Sequence, residues 1–255
     1  MHVELEEGPR CYASKVFAYR AWYRPTTSAD VDNAYTNGFL PESEGNLTGT
    51  QRFYKARSLR VALAHYHADK DARYVLRKIE PMGLRFSVYP REVISQFRPS
   101  VIEQLHEHST ERFRGGEVFT PARCEWILRH PLVNQLAVVH TEGHGPPAGF
   151  IILIRRHSMV HGWFSTRRRL LIAQPNLGRW MLLQLVTHAI REGLEYVYMG
   201  TVYGQAARYK ILPGSECHYG SVWSSDLARL RDSLRQDDAA EGHTIYRAVE
   251  KERTP

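Results

Sequence analysis

Apolar and polar positions change rhythm near the middle of this chain. Residues 1–58 carry aromatics between turn signals such as "RPTTSAD" and "NGFLPESEGNLTGT", without sustained periodicity. That pattern predicts irregular structure with short strands and one helix near Ala29 to Asn37. "SLRVALAHY" reads as a strand and "KDARYVLRKI" as a short helix. "PREVISQFRPSVIEQLHEHSTERF" reads as a helix interrupted or restarted at Pro99, because the residue before a proline is biased away from helix. "PARCEWILRH" follows Thr120, a threonine cap with proline at the first helical position, and predicts a second short helix.

The second half alternates and then turns helical. "NQLAVVH", "AGFIILIRR" and "MVHGWFS" predict a meander of strands, with the loop "TEGHGPP" between the first two. In "NLGRWMLLQLVTHAIREGL" the residues Trp180, Leu183, Val186, Ala189 and Ile190 recur on one face, and Gly193 ends the helix. "EYVYM" and "SVWSS" are further strands, and "SDLARLRDSLRQ" is a capped helix with Leu227, Leu230 and Leu234 on its stripe. This order resembles that of the GNAT class of N-acyltransferases. The expected fold is therefore α+β: a mixed, mostly antiparallel sheet flanked by helices, with a smaller irregular N-terminal lobe. Boundaries are expected at 1–90 for the lobe, 91–240 for the GNAT-like domain and 241–255 for a tail.

Composition narrows the class of partner. With 34 Lys and Arg against 27 Asp and Glu, the net charge is +7, which favours a polyanionic partner such as nucleic acid. Arginine clusters carry much of it: Arg155 and Arg156, then Arg167, Arg168 and Arg169, with Arg77 and Lys78 earlier. A guanidinium grips phosphate through two parallel hydrogen bonds, so these seven are the expected residues for binding nucleic-acid phosphate. No apolar run is long enough to span a bilayer, and "HVELEEGPR" is no signal peptide, so the expected address is cytoplasmic with no membrane partner. Cys11, Cys124 and Cys217 are far apart. His106 and His108 do not share a helix face, and His157 and His161 lack the H-E-x-x-H carboxylate, so no metal is expected.

GNAT folds usually bind acyl-CoA, whose pyrophosphate sits on backbone N–H groups at the start of the long helix, under a signature resembling R/Q-x-x-G-x-G/A. Here "QPNLGRWML" sets Gln174 one residue too far from Gly178 and puts Trp180 where a small residue belongs. An indole there is expected to crowd the pyrophosphate, which speaks against CoA. The helix N-terminus at Gly178 is left as a site for another phosphate.

"YVYMG", "ARYKI" and "YGSVWSSD" together resemble the C-terminal motif of the arginyl-tRNA protein transferases and their leucyl relatives. Upstream, "NGFLPE", "QRFYKARSLRVAL" and "RYVLRKIE" are similar to that family's G-F/W-R-R, F-Y-R-P, L-R-V and R-R-V-L-R-R-N segments, in order from Tyr35 to Asp226. The family's cysteines between Y-R-P and L-R-V are absent, since Tyr54 runs to Leu59 through "KARS". The linker from Gly200 to Arg208 is also shorter than the family's. The resemblance implies transfer of an aminoacyl group from aminoacyl-tRNA to an amine on a protein, peptide or small molecule, with no cofactor beyond the tRNA donor. Its R-Y-K ending falls on Arg208, Tyr209 and Lys210; with position beside the expected strand break at Gly200 and the helix N-terminus added, the expected catalytic residues are Tyr203, Tyr209 and Lys210, the expected substrate-binding residues Tyr198, Gly200, Arg208 and Gly178, and the seven cations named above the expected tRNA-binding residues. Tyr196, His218, Trp223 and Asp226 read as structural. Two alternatives stay open: a CoA-dependent N-acyltransferase, and a non-catalytic relative that binds tRNA or a partner.

Overall fold

The computed structural model describes residues 3–7, 19–43, 52–112, 119–141, 145–168, 171, 176–219 and 221–239. Two compact units divide it. One comprises Val61–Tyr198 and Leu212–Gly214; the other comprises Met1–Arg60, Met199–Ile211 and Ser215–Pro255. The boundary near residue 90 that the sequence pattern suggests falls inside the first of these units.

In the first of these units, β6 (Arg85–Pro90), β7 (Gln135–His140), β8 (Gly149–Arg155) and β9 (Met159–Arg167) form an antiparallel meander. Strand β10 (Tyr196–Thr201) then runs parallel to β9, pairing Tyr196 with Met159 and Tyr198 with His161. A parallel neighbour needs a crossover, and helix α5 (Leu177–Arg191) supplies it. Phe150 to Ile154 of β8 are all buried, as expected of a strand covered on both faces. β6 escaped the sequence reading because its residues are exposed or only half-buried, leaving no apolar rhythm to detect.

The helices of this unit follow their caps. Asp69 accepts the Ala72 N–H and opens α2 (Lys70–Ile79); Thr120 accepts the Arg123 N–H and opens α4 (Pro121–Arg129). Between them, α3 (Ile94–Arg112) continues through Pro99 instead of restarting there. One missing N–H early in a long helix costs a single ladder bond, and packing outweighs it. On α5, Trp180, Leu183, Val186 and Ala189 are buried as the periodicity requires, but Ile190 is exposed, because it lies at the margin of the stripe in the last turn.

The other unit is more regular than its turn-rich sequence suggested. Helix α1 (Ser28–Thr36) stands where expected, started by a Thr27–Asp30 capping box. Strands β1 (Val3–Glu7), β2 (Tyr19–Tyr23), β4 (Phe53–Lys55) and β3 (Phe39–Pro41) pair antiparallel in that spatial order. Three-residue strands are too short to announce themselves by alternation. Here Tyr35 meets Phe53 edge-on and Tyr23 leans on Phe39, with ring centroids 5.7 Å apart in both pairs. A second set runs in the order β12 (Val222–Ser224), β11 (Ser215–Tyr219), β5 (Ser58–Ala62) and the end of β10. Helix α6 (Leu227–Ala239) follows, with the Asp226 carboxylate accepting the Arg229 N–H.

Gly38 carries a local constraint. Its φ is +78°, and an added Cβ would stand 2.4 Å from the His218 ring. Gly193 has a similar φ of +67° but open space around it. Gly193→Ala is therefore expected to cost only the left-handed strain, about 1–2 kcal/mol. Gly38→Ala adds displacement of a buried imidazole and loses more, as read by urea denaturation of the two variants side by side.

Candidate functional site

Strand β10 runs through Gly200 (φ +78°) to Thr201 and does not break at the glycine, and the chain then forms a short 3₁₀ turn over Gln205–Lys210. This is the "GTVYGQAARYK" stretch, and its fixation is what gives the region a defined geometry. Val202 N–H donates to the Arg57 carbonyl at 2.9 Å, and the Arg57 N–H donates to the Tyr203 hydroxyl at 2.8 Å. The Arg57 guanidinium lies 4.8 Å from the Tyr203 ring centroid, a cation–π contact. It also grips Asp237 of α6 through both terminal nitrogens, at 2.8 and 3.3 Å. Asp237 Oδ2 accepts the Gly204 N–H at 2.8 Å as well. Gly204 has φ +67° and ψ 162°, a conformation essentially reserved for glycine.

Arg57 and Asp237 are both buried, with side-chain exposures of 6% and 2%. Each charge is tolerable there only because the other is present and hydrogen-bonded. Burial pushes the Tyr203 hydroxyl up to about 12, so it stays protonated. Sequence reasoning missed Arg57 and Asp237. A signal for Asp237 did exist: Leu230, Leu234 and Asp237 fall at i, i+4 and i+7, which places a carboxylate on the apolar stripe of α6.

The expected catalytic residues divide by what they touch. The Tyr203 hydroxyl is engaged by the backbone of Arg57, a placement that holds the turn. Lys210 Nζ donates to the Thr201 carbonyl at 2.9 Å and closes the same turn. Half-buried Tyr209 makes no hydrogen bond among the described residues. Arg208 is exposed beside it.

Further residues of the quoted motifs gather in this unit. Ser58 Oγ donates to the Gly38 carbonyl, and Lys55 pairs with Phe39 across β3 and β4. Arg60 binds Glu216 at 2.7 Å and stacks 4.1 Å from the Trp223 ring. Trp223 Nε1 donates to the Thr36 carbonyl at 2.7 Å, and His218 packs edge-on to Trp223. Burial pulls Lys55 down to about 8, and no carboxylate pairs with it among the described residues. His218 is held down at about 3, first by burial and then by the charges of Lys55 and Arg60; its Nδ1 is buried without a partner among the described residues.

The remaining expected residues lie in the other unit, dispersed. Tyr198 is buried on β10, its ring 6.5 Å from His161. Gly178 is in the first turn of α5, after Asn176, whose φ is +70°. Arg155 pairs with Val160 and Arg167 pairs with Gly149, so the Arg155–Arg156 and Arg167–Arg168 clusters sit at opposite ends of the β8–β9 hairpin, about 20 Å apart. They do not form one patch. Arg169 and Gln174 lie outside the described residues. Arg77 and Lys78 are exposed on α2. Trp180 is 5% exposed, so the core takes up the bulk of its indole and the steric objection to CoA loses its basis. Cys124 and Cys217 are buried and form no disulfide, and among the described residues no group of three or more His, Cys, Asp and Glu could hold a metal ion. No described helix is long and apolar enough to cross a membrane.

The meander, crossover helix and parallel strand define a GNAT-type acyltransferase fold. The chain belongs to the acetyltransferase (GNAT) domain family, whose model matches residues 67–211. No curated protein matches it. Among solved structures it is similar to the C-terminal domain of a putative lysylphosphatidylglycerol synthetase from Agrobacterium fabrum. There the identity is 15% and the TM-score 0.44, over 70% of this chain and 52% of that one, about half its length. It is also similar to L-PGS from Bacillus licheniformis, at 13% identity and TM-score 0.44, over 85% of this chain and 72% of that one. FemX gives 12% identity and TM-score 0.44, over 79% of this chain and 72% of that one.

Two stability measurements test the site's construction. Asp237→Asn leaves a guanidinium buried without its counter-charge and should cost about 3–5 kcal/mol in urea unfolding. For His218, the unfolded chain takes up a proton below its ordinary value near 6.5, whereas the folded imidazole resists until about 3. Stability is therefore lost as pH falls through that window. Tm from pH 7 to pH 4 should fall more steeply for the wild type than for His218→Phe.

Proposed function

We propose that the protein transfers an aminoacyl group from aminoacyl-tRNA to an amine, as its resemblance to the arginyl/leucyl-tRNA protein transferases implies. One observation supports this most. Many motif residues that are merely collinear in sequence fall in one unit, although Arg73 to Glu80 and Tyr196 to Tyr198 belong to the other: Gly38 and Phe39, Phe53 to Lys55, Ser58 to Arg60, Tyr203 to Lys210, Tyr219 and Val222 to Asp226 are linked there by pairing, hydrogen bonds and ring contacts.

The chemistry asks little of the protein. An aminoacyl ester is already activated, so the site must orient an attacking amine, stabilise a tetrahedral oxyanion and let protons leave. A peptide α-amine titrates near 7.7 to 8.0, so part of it is neutral at physiological pH without a strong base. No covalent enzyme intermediate is needed. Tyr209 offers a phenolic donor, Arg208 a cation for phosphate or an acidic acceptor, and Lys55 a half-buried cation able to face developing negative charge. Tyr203, Lys210 and Gly200 set the turn that presents Tyr209 and Arg208.

A second reading, acyl transfer from acyl-CoA, is favoured by the family match and by the burial of Trp180. One experiment separates the two: the purified protein is incubated with mixed radiolabelled aminoacyl-tRNAs or with labelled acetyl-CoA, plus peptide and small-molecule amines. Label is expected to move from the tRNA; movement from acetyl-CoA alone would establish the second reading instead. Within the first reading, Tyr209→Phe should lower turnover about tenfold or more with little change in tRNA affinity, since an interaction made mainly in the transition state affects rate and not ground-state binding. Wild-type turnover in both Tyr209→Phe and Lys210→Ala would move the chemistry elsewhere.

A further inference from the structure

Helix α2 divides its residues sharply between two faces. Ala72, Val75 and Ile79 are buried, and this face packs on α5. Lys70, Arg73, Tyr74, Arg77 and Lys78 are all exposed, at i, i+3, i+4, i+7 and i+8. That spacing places them in one stripe about 12 Å long.

The stripe differs from the arginines that are tied into the fold by carboxylates. Arg52, Arg57, Arg60 and Arg98 each bind a carboxylate: Glu42, Asp237, Glu216 and Glu125. None of the four stripe cations forms an ion pair among the described residues; Arg73 reaches the Ala68 carbonyl, and Lys78 touches the Tyr74 hydroxyl at 3.2 Å. The nearby acids stand to the side. Asp69 is spent as the α2 cap, while Asp71 and Glu80 lie at the stripe's margins. In the middle of the cations sits Tyr74, a large aromatic 49% exposed, with Lys78 Nζ 5.5 Å from its ring centroid.

We infer that this face of α2 is a docking strip for the phosphate backbone of RNA, with Tyr74 stacking on an unpaired base. Unpaired cations along a polyanion's path release counterions when they bind it, and an exposed aromatic among them gives a base a sequence-tolerant platform. A lipid surface fits less well, because the apolar face of α2 is already occupied by α5 and leaves nothing to insert. The identity of the RNA as tRNA rests on the proposed function; the strip itself rests on the geometry of α2.

The test uses the full chain and deacylated bulk tRNA, with anisotropy titrations from 50 to 300 mM KCl. Replacing Lys70, Arg73, Arg77 and Lys78 together by Ala should reduce the slope of log K against log salt by about 3, near 0.7–0.9 per lost contact. Arg73→Lys with Arg77→Lys should keep it. Tyr74→Ala should weaken binding about fivefold or more at unchanged slope. These positions are exposed, so circular dichroism and Tm should match the wild type. A wild-type slope in the quadruple variant overturns the strip, as does wild-type protein that fails to bind tRNA at 50 mM KCl. Loss of binding to phosphatidylglycerol vesicles with tRNA binding intact also overturns it, in favour of a membrane. The donor reading fails separately: label transfer with an unchanged slope removes the strip and keeps that reading, while a flattened slope without label transfer does the reverse.

Discussion

A buried ion pair holds the candidate site together. Arg57 enters from just before β5 and Asp237 from near the end of α6, 180 residues apart in sequence. Between them they fix Tyr203 and Gly204, and so the path the chain takes after β10. Such a pair contributes little net stability beyond what well-packed apolar residues would give, because two desolvated charges repay their own cost and not much more. What it supplies is selectivity among conformations. A fork with two hydrogen bonds admits one geometry, and the Gly204 N–H binds the same carboxylate only if the turn is in place.

The position of that pair explains a feature of the family match. Residues 67–211 include β6 to β10, α2 to α5 and the turn through Lys210. Arg57, Asp237, Lys55, His218 and Trp223 all fall outside them. The general acyltransferase scaffold thus carries the strand end from which the turn departs, while segments before and after it in the chain supply the groups that fix the turn. A site assembled in this way can be altered in its specificity without disturbing the scaffold's core, where β8 and α5 are buried by their own apolar runs.

Legibility in the sequence followed burial contrast. Helices α1, α2, α4 and α5 and the meander β7 to β9 were readable, because each has an apolar face with a definite period and caps or turns at its ends. Strand β6 was not, since its residues are evenly half-exposed; neither were β3 and β4, whose three residues cannot show a period. The site was legible as a place but not as a mechanism of fixation. Glycine at 200 and the R-Y-K ending marked the turn, yet nothing local to "KARS" says that Arg57 is buried. Asp237 could have been found by asking why a carboxylate continues the stripe of Leu230 and Leu234. The spacing of the arginine clusters was not legible either: the register puts Arg155–Arg156 and Arg167–Arg168 at the two ends of the β8–β9 hairpin.

Charge in this molecule therefore has to be sorted by partner before it means anything. A net +7 describes the whole chain and is silent about where a polyanion would land. Arg57, Arg60 and Arg52 are consumed by carboxylates and serve the fold. The β8–β9 clusters are divided by the length of the hairpin, so each presents only a local charge. Cations that are regularly spaced, exposed and without a carboxylate are the ones free to meet phosphate. On α2 they come with an exposed tyrosine and a fully buried opposite face, which makes the helix a rigid ruler set on the core. Rigidity matters here, because a phosphate contact made from a preorganised surface forfeits less entropy than one made from a loop that must first be ordered.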